Sequence, residues 1–84
     1  MKIFIPSKNR ISVPVFKQFD AFSKEDKIIF VEPQDYELYF NVFNDKAIVV
    51  NIGENDKGFG YVLDFMNKWA LNNNIPYWLF VDIS

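Results

Sequence analysis

The sequence predicts a small α/β domain built on a parallel sheet, because apolar runs typical of strands alternate with segments of helical periodicity. Four short runs are rich in β-branched and aromatic residues and lack polar alternation, which is typical of strands covered on both faces. The segments between them carry apolar residues at helical spacing. We therefore expect a three-layer, Rossmann-like domain with a four-stranded, mainly parallel sheet in the order 3-2-1-4.

The first half of the chain contains two predicted strands and two predicted helices. Residues 3–5 are a short apolar run that ends at Pro6, and the polar residues 6–10 predict a loop. Ser12 is the predicted N-cap of a first helix, with Pro14 in the first turn. Its apolar positions are Val15, Phe16, Phe19 and Phe22. Residues 27–32 predict the second strand, and Pro33 opens a second helix. That helix carries Tyr36, Tyr39, Phe40 and Phe43.

The second half repeats this pattern and contains the best-defined helix. Residues 47–52 predict the third strand, and the loop 53–58 offers Asn55 or Asp56 as an N-cap. A third helix is expected from Phe59 to about Leu71, with Asn72 to Asn74 as its stop. Residues 77–83 predict the fourth strand. Trp69 in this helix and Trp78 in this strand are expected in the core.

Composition narrows the class of protein and the chemistry. At 84 residues, the chain is expected to form one domain, spanning residues 1–84. The absence of Cys and His excludes disulfides, Cys/His zinc sites and imidazole catalysis. A formal charge of −2 provides no basic surface for nucleic acid, so direct nucleic-acid binding is not expected. No apolar run approaches a membrane span, and we expect a cytoplasmic protein without membrane contact.

Three segments resemble the nucleotide-binding half of GT-A glycosyltransferases. Residues 3–10 look like the opening strand and loop of that family, which often read I-x-I-P-S-x-N-R. Residues 30–33 are similar to the end of the family's second strand. Residues 58–62, followed by a helix, resemble the segment after its third strand. The register of the resemblance covers the whole chain and implies a GT-A-like fold.

The resemblance also implies which residues would contact a sugar nucleotide. The positions that match the family's nucleotide-binding segments are Pro6, Ser7, Asn9, Arg10, Glu32 and Gly58. In the family, a carboxylate-rich stretch ending the fourth strand holds Mn²⁺ or Mg²⁺ on the diphosphate, and this chain keeps only Asp82 there. One carboxylate is a poor site for such a cation. The sequence also stops where the family's acceptor-binding half would begin, so we expect neither a catalytic residue nor a cofactor.

Our leading interpretation is a non-catalytic protein-binding inhibitor or regulator built on this fold, for example a phage counter-defence protein. The predicted second helix suggests the partner surface, since its aromatic residues exceed what one sheet face can cover. We expect Tyr36 and Tyr39 to face a basic protein partner, bordered by Asp35 and Glu37, with Phe40 and Phe43 on the sheet. Exposed sheet edges would also allow a homodimer. The alternative is the sugar-nucleotide-binding half of a glycosyltransferase, with Mn²⁺ or Mg²⁺.

Overall fold

The computed structural model describes residues 2–9 and 22–79. Within them, three strands form a parallel sheet: β1 (Lys2–Pro6), β2 (Lys27–Val31) and β3 (Ile48–Asn51). β2 lies between the other two, with Phe4 of β1 opposite Ile28 and Val50 of β3 opposite Phe30. A three-residue strand, β4 (Tyr77–Leu79), pairs in parallel with the other side of β1. The prediction of a small α/β domain with a parallel sheet is confirmed.

Two α-helices are described, together with one 3₁₀ turn. The turn Lys24–Asp26 precedes β2, helix α1 (Pro33–Phe43) links β2 to β3, and helix α2 (Phe59–Asn72) links β3 to β4. The predicted first helix lies outside the described residues except for its last residue, Phe22, which is partly exposed. Neither α1 nor α2 is long and apolar enough to cross a membrane.

The core has two halves, one on each face of the sheet, because alternate residues of a strand point to opposite faces. The half next to α1 consists of Ile3, Ile5, Ile29, Val31, Tyr39 and Ala47. The half next to α2 consists of Phe4, Ile28, Phe30, Ile52, Met66 and Ala70. Trp69 is partly buried and sets its ring edge-on to Phe4 and Phe30, at 5.6 Å between centroids in both cases. The side chain of Trp78 lies outside the described residues.

Helix α2 begins after a glycine rather than after a capping side chain. Gly58 is the N-cap residue, with φ at 86° and ψ at 171°, a region that only glycine adopts without strain. The prediction that Asn55 or Asp56 caps this helix is therefore wrong. Both side chains are used elsewhere, at the edge of the sheet where the strands end.

Candidate functional site

The carboxyl ends of β1, β2 and β3 meet at one edge of the sheet, which is where parallel α/β sheets bind ligands. Six polar residues from three loops gather there, and we call them the carboxyl-edge cluster. They are Ser7, Lys8, Glu32, Asp35, Asn55 and Asp56.

The loop after β1 is fastened to β2 and to α1. The backbone N–H of Ser7 donates to the carbonyl of Phe30 at 3.0 Å, which extends the ladder by one residue. The hydroxyls of Ser7 and Tyr39 lie 2.8 Å apart. Asn9 adopts φ of 54°, a left-handed conformation that asparagine tolerates, and its N–H donates to the Asp35 carboxylate at 3.2 Å. The loop predicted to hold a nucleotide is therefore held against α1.

Glu32, the residue after β2, is buried, and both of its carboxylate oxygens are occupied. Oε1 accepts a hydrogen bond from Gln34 Nε2 at 2.6 Å, and Oε2 accepts one from the backbone N–H of Asp56 at 3.0 Å. The ammonium of Lys8 lies 3.5 Å from Oε1. A buried carboxylate needs such donors, because an unpaired buried charge is very costly. Glu32 thus ties the loop after β3 to the start of α1.

Lys8 and Asp56 form an exposed ion pair beside Glu32. The hydrogen bond to Lys8 and its positive charge hold the pKa of the Asp56 carboxyl below its ordinary value. The hydrogen bond to Asp56 and the negative charges of Asp56 and Glu32 raise the pKa of the Lys8 ammonium. Lys8 is the one cation within the carboxyl-edge cluster as defined, and it is already engaged by two carboxylates.

The N-terminus of α1 is also occupied by the protein itself. Pro33 has no N–H to offer, the N–H of Gln34 donates to Asn55 Oδ1 at 3.0 Å, and that of Asp35 donates to the Glu32 carbonyl at 2.9 Å. A helix N-terminus binds phosphate through free N–H groups. Here these groups have partners within the chain. Asn55, expected to cap α2, in fact caps α1.

The cluster has a net negative formal charge, since it contains three carboxylates and one ammonium. Among the described residues, every buried side-chain nitrogen or oxygen has a hydrogen-bond partner. No three acidic side chains of residues 2–9 and 22–79 converge as a metal site would require. These hydrogen bonds and ion pairs therefore connect the three segments that follow β1, β2 and β3. A phosphate that bound here would have to displace some of them.

The structure brings together some of the residues predicted to bind a nucleotide. Ser7, Asn9 and Glu32 lie at this edge, while Pro6 closes β1 opposite Phe30. Gly58 follows the same loop two residues after Asp56, and its positive φ gives a backbone reason for glycine there. Arg10 and Asp82 lie outside the described residues. Sequence reasoning missed Asp35, Asn55 and Asp56 as members of this network, because their partners are more than twenty residues away in the chain.

The predicted orientation of α1 is wrong for several of its residues. Tyr39, expected on the partner surface, is 1% exposed and belongs to the core, while Phe40, expected on the sheet, is 44% exposed. Asp35, expected as an acidic border, is also buried. Phe43 packs against the core, as expected, and Tyr36 is partly buried against it.

The correct orientation follows from helical spacing. Asp35, Tyr39 and Phe43 recur every four residues and so form one stripe, which is the stripe that faces the sheet. The sequence contained this signal. A tyrosine can occupy this buried stripe because its hydroxyl has a partner in Ser7.

Helix α1 carries three large apolar side chains that are about half exposed. Leu38 is 55% exposed, Phe40 44% and Val42 46%, all within five consecutive residues. The Phe40 ring stacks on that of Tyr36, with centroids 5.8 Å apart and planes inclined by 24°. Glu37 is exposed among them. Because residues two apart lie on nearly opposite sides of a helix, Leu38 and Val42 lie on one flank of α1 and Phe40 lies on the other. We call Leu38, Phe40 and Val42 together the α1 apolar surface.

In comparisons with protein-family models, curated proteins and solved structures, none matched the chain significantly. The resemblance to GT-A glycosyltransferases rests on the three sequence segments alone.

Proposed function

We propose that this chain is a non-catalytic protein-binding domain, an inhibitor or regulator that contacts its partner through α1. The observation that carries the proposal is the α1 apolar surface: three large side chains, each about half exposed, on one short helix. Exposed apolar side chains scattered singly are ordinary, whereas contiguous ones are typical of an interaction site. On α1, Leu38 and Val42 lie one turn apart, and Phe40 adjoins Tyr36.

The α1 apolar surface has the features of an interface anchor. Most binding energy in protein interfaces comes from a few large side chains that lose contact with water, aromatic ones above all. Phe40 is held in place by stacking on Tyr36, so little side-chain freedom is lost when a partner covers it. The exposed carboxylate of Glu37 adds negative charge beside it, which favours a partner with a basic surface.

The carboxyl-edge cluster supports a non-catalytic role. Its donors are occupied within the chain, and its charge opposes that of a phosphate. The parallel pairing of β4 beside β1 supports a four-stranded sheet in the order 3-2-1-4, and with it descent from the nucleotide-binding half of a GT-A fold. In this proposal, the fold is retained and its binding surface has moved from the edge of the sheet to a helix.

The second candidate is the sugar-nucleotide-binding half of a glycosyltransferase. One observation favours it: Ser7, Asn9 and Glu32, which the family resemblance assigns to the nucleotide, do lie at one edge of the sheet. Binding of UDP-sugars with Mn²⁺, measured by calorimetry and weakened by Glu32→Gln, would support this candidate.

The experiment compares three immobilised proteins in a quantitative capture from a lysate of the source cells. They are the parent chain, the double variant Phe40→Ser with Val42→Ser, and the control Leu71→Ser, which alters an exposed residue of α2. We expect the parent and the control to retain the same partner in stoichiometric amount. The double variant should bind it at least about tenfold more weakly, as loss of an interface anchor does.

Circular dichroism and the urea midpoint of each variant show whether the fold is intact. Equal capture by the double variant and the parent would contradict the proposed surface. Binding of sugar nucleotides without any protein partner would replace the proposal with the second candidate. Size-exclusion chromatography of the parent distinguishes a partner protein from a second copy of the chain.

A further inference from the structure

Three lysines surround a depression at the amino edge of the sheet, opposite the carboxyl-edge cluster. The depression has a volume of about 300 Å³. It is lined by Phe22, Lys24, Lys27, Asp45 and Lys46. The topology brings these residues together, because β2 and β3 are parallel and start at the same edge. Lys27 is the first residue of β2, Lys24 lies in the 3₁₀ turn before it, and Asp45 and Lys46 lie between α1 and β3.

The lining is positively charged, although the chain carries a formal charge of −2. Among the described residues that line it, three lysines accompany one aspartate, a formal charge of +2. Among residues 2–9 and 22–79, no side chain forms an ion pair with Lys24, Lys27 or Lys46. By contrast, Lys2 is paired with Asp26 at 3.2 Å and Lys68 with Asp64 at 2.9 Å.

Lys27 is the most informative of the three. It is only 8% exposed, so its methylene stem is buried, while its ammonium reaches solvent at the depression. The nearest carboxylate along the chain, that of Asp26, accepts hydrogen bonds from Lys2 and Ser23 instead. The side chain of Lys27 lines the depression, so an anion seated there would meet an ammonium group that no carboxylate of the described residues pairs.

We propose that this depression binds a phosphate-bearing anion through Lys24, Lys27 and Lys46. A phosphate monoester is close to a dianion at neutral pH and matches the formal charge of the lining. Lysine ammonium groups bind phosphate as point charges without a fixed geometry, which suits an open site. The volume is at the lower end of the range for small-ligand sites, which begins at roughly 300 Å³.

The phosphate could be the free ion or part of a nucleotide. Contact with Phe22 distinguishes the two ligands. Its ring is 37% exposed at the margin of the depression, where a nucleobase could stack on it. A 5′-mononucleotide would use both the ring and the lysines, whereas inorganic phosphate would use the lysines alone.

The test is an NMR titration of the ¹⁵N-labelled chain with sodium phosphate and, separately, with AMP, at about pH 7.5, where the dianion prevails. Sodium chloride keeps the ionic strength constant, because exposed charges are screened by salt. We expect saturable shifts of the amides of Lys24, Lys27 and Lys46. Tighter binding of AMP than of phosphate identifies a nucleotide as the source, and equal affinity identifies the free ion.

Charge variants make the test specific to the site. Lys24→Gln and Lys46→Gln should each weaken binding by about fivefold, and Asp45→Asn should strengthen it by a similar factor. These three residues are exposed, so the test does not depend on replacing the buried Lys27. Lys68→Gln makes the same charge change on α2 and should leave the affinity unchanged. Shifts that do not saturate, or equal weakening by Lys68→Gln and Lys46→Gln, would overturn the proposal.

Discussion

Truncation of two adjacent residues of α1 should destabilise the fold to clearly different degrees, which tests the orientation of the helix directly. Tyr39 is 1% exposed and packs in the core half that includes Ile5 and Val31. Tyr39→Ala removes a fully buried ring and should cost about 3–5 kcal/mol in free energy of unfolding, as deletions of large core aromatics do. A chain of 84 residues has a total stability of roughly 4–13 kcal/mol. The variant should therefore lose a large fraction of the total stability.

Phe40→Ala is the matched comparison, since it deletes a ring of similar size one residue away. Because this ring is 44% exposed, about half as much surface returns to water, and the cost should be about 1.5–2.5 kcal/mol. Tyr39→Phe isolates the hydroxyl, whose hydrogen bond to Ser7 should contribute about 1 kcal/mol. The three values should thus fall in the order Tyr39→Ala, Phe40→Ala, Tyr39→Phe.

Urea unfolding followed by circular dichroism measures all three variants on the same scale. The partner-binding assay then compares the affinity of the folded variants for the partner. Phe40→Ala should lose the partner while remaining folded, and Tyr39→Phe should keep it. A loss below about 1 kcal/mol for Tyr39→Ala would place its ring on the surface. A larger loss for Phe40→Ala than for Tyr39→Ala would reverse the orientation of α1 described above.

Two further predictions concern the carboxyl edge and the start of α2. The pKa of Asp56 is lowered in the folded state by Lys8, so this pair stabilises the fold above the unfolded carboxyl pKa of about 3.9, and the contribution is lost as pH falls through the folded value. An NMR titration should show the Asp56 pKa rising towards its ordinary value in Lys8→Met, and an unchanged pKa would refute the pairing. Gly58→Ala should cost about 1–3 kcal/mol because φ is 86° there. Gly60→Ala, inside α2 with open space around the new Cβ, should stabilise by up to about 1 kcal/mol. Equal urea midpoints for the two alanine variants would contradict the strained backbone at Gly58.

The sequence was sufficient for the elements whose neighbours along the chain determine them. β2 could be recognised because its residues are apolar on both faces, as a central parallel strand requires. The limits of α2 were predicted to within one residue, since its apolar stripe begins at Phe59 and the asparagines after Leu71 end it. In both cases, the physical cause lies inside the segment itself.

Contacts between distant segments were less predictable. The side chain of Asn55 was expected to cap the helix that follows it, but it caps α1, which precedes it by 21 residues. The buried hydroxyl of Tyr39 has its hydrogen-bond partner in Ser7, 32 residues earlier in the chain. The sequence does not predict the amino-edge depression either, because Lys46 is distant in sequence from Lys24 and Lys27 and meets them only when β2 and β3 pair.

The balance of free energy at the two surfaces supports the proposed binding through α1 over binding at the carboxyl edge. A nucleotide at that edge would have to displace donors from the buried Glu32 carboxylate, at a cost of about 1–3 kcal/mol for a group left unsatisfied. It would also approach a cluster whose carboxylates outnumber its ammonium groups. On α1 nothing has to be displaced. A partner that covered Leu38, Phe40 and Val42 would remove the exposed half of each side chain from water, which would contribute about 1 kcal/mol for each. Each contact of a partner with this helix therefore contributes favourable binding free energy. A ligand at the carboxyl edge must first break hydrogen bonds that stabilise three loops.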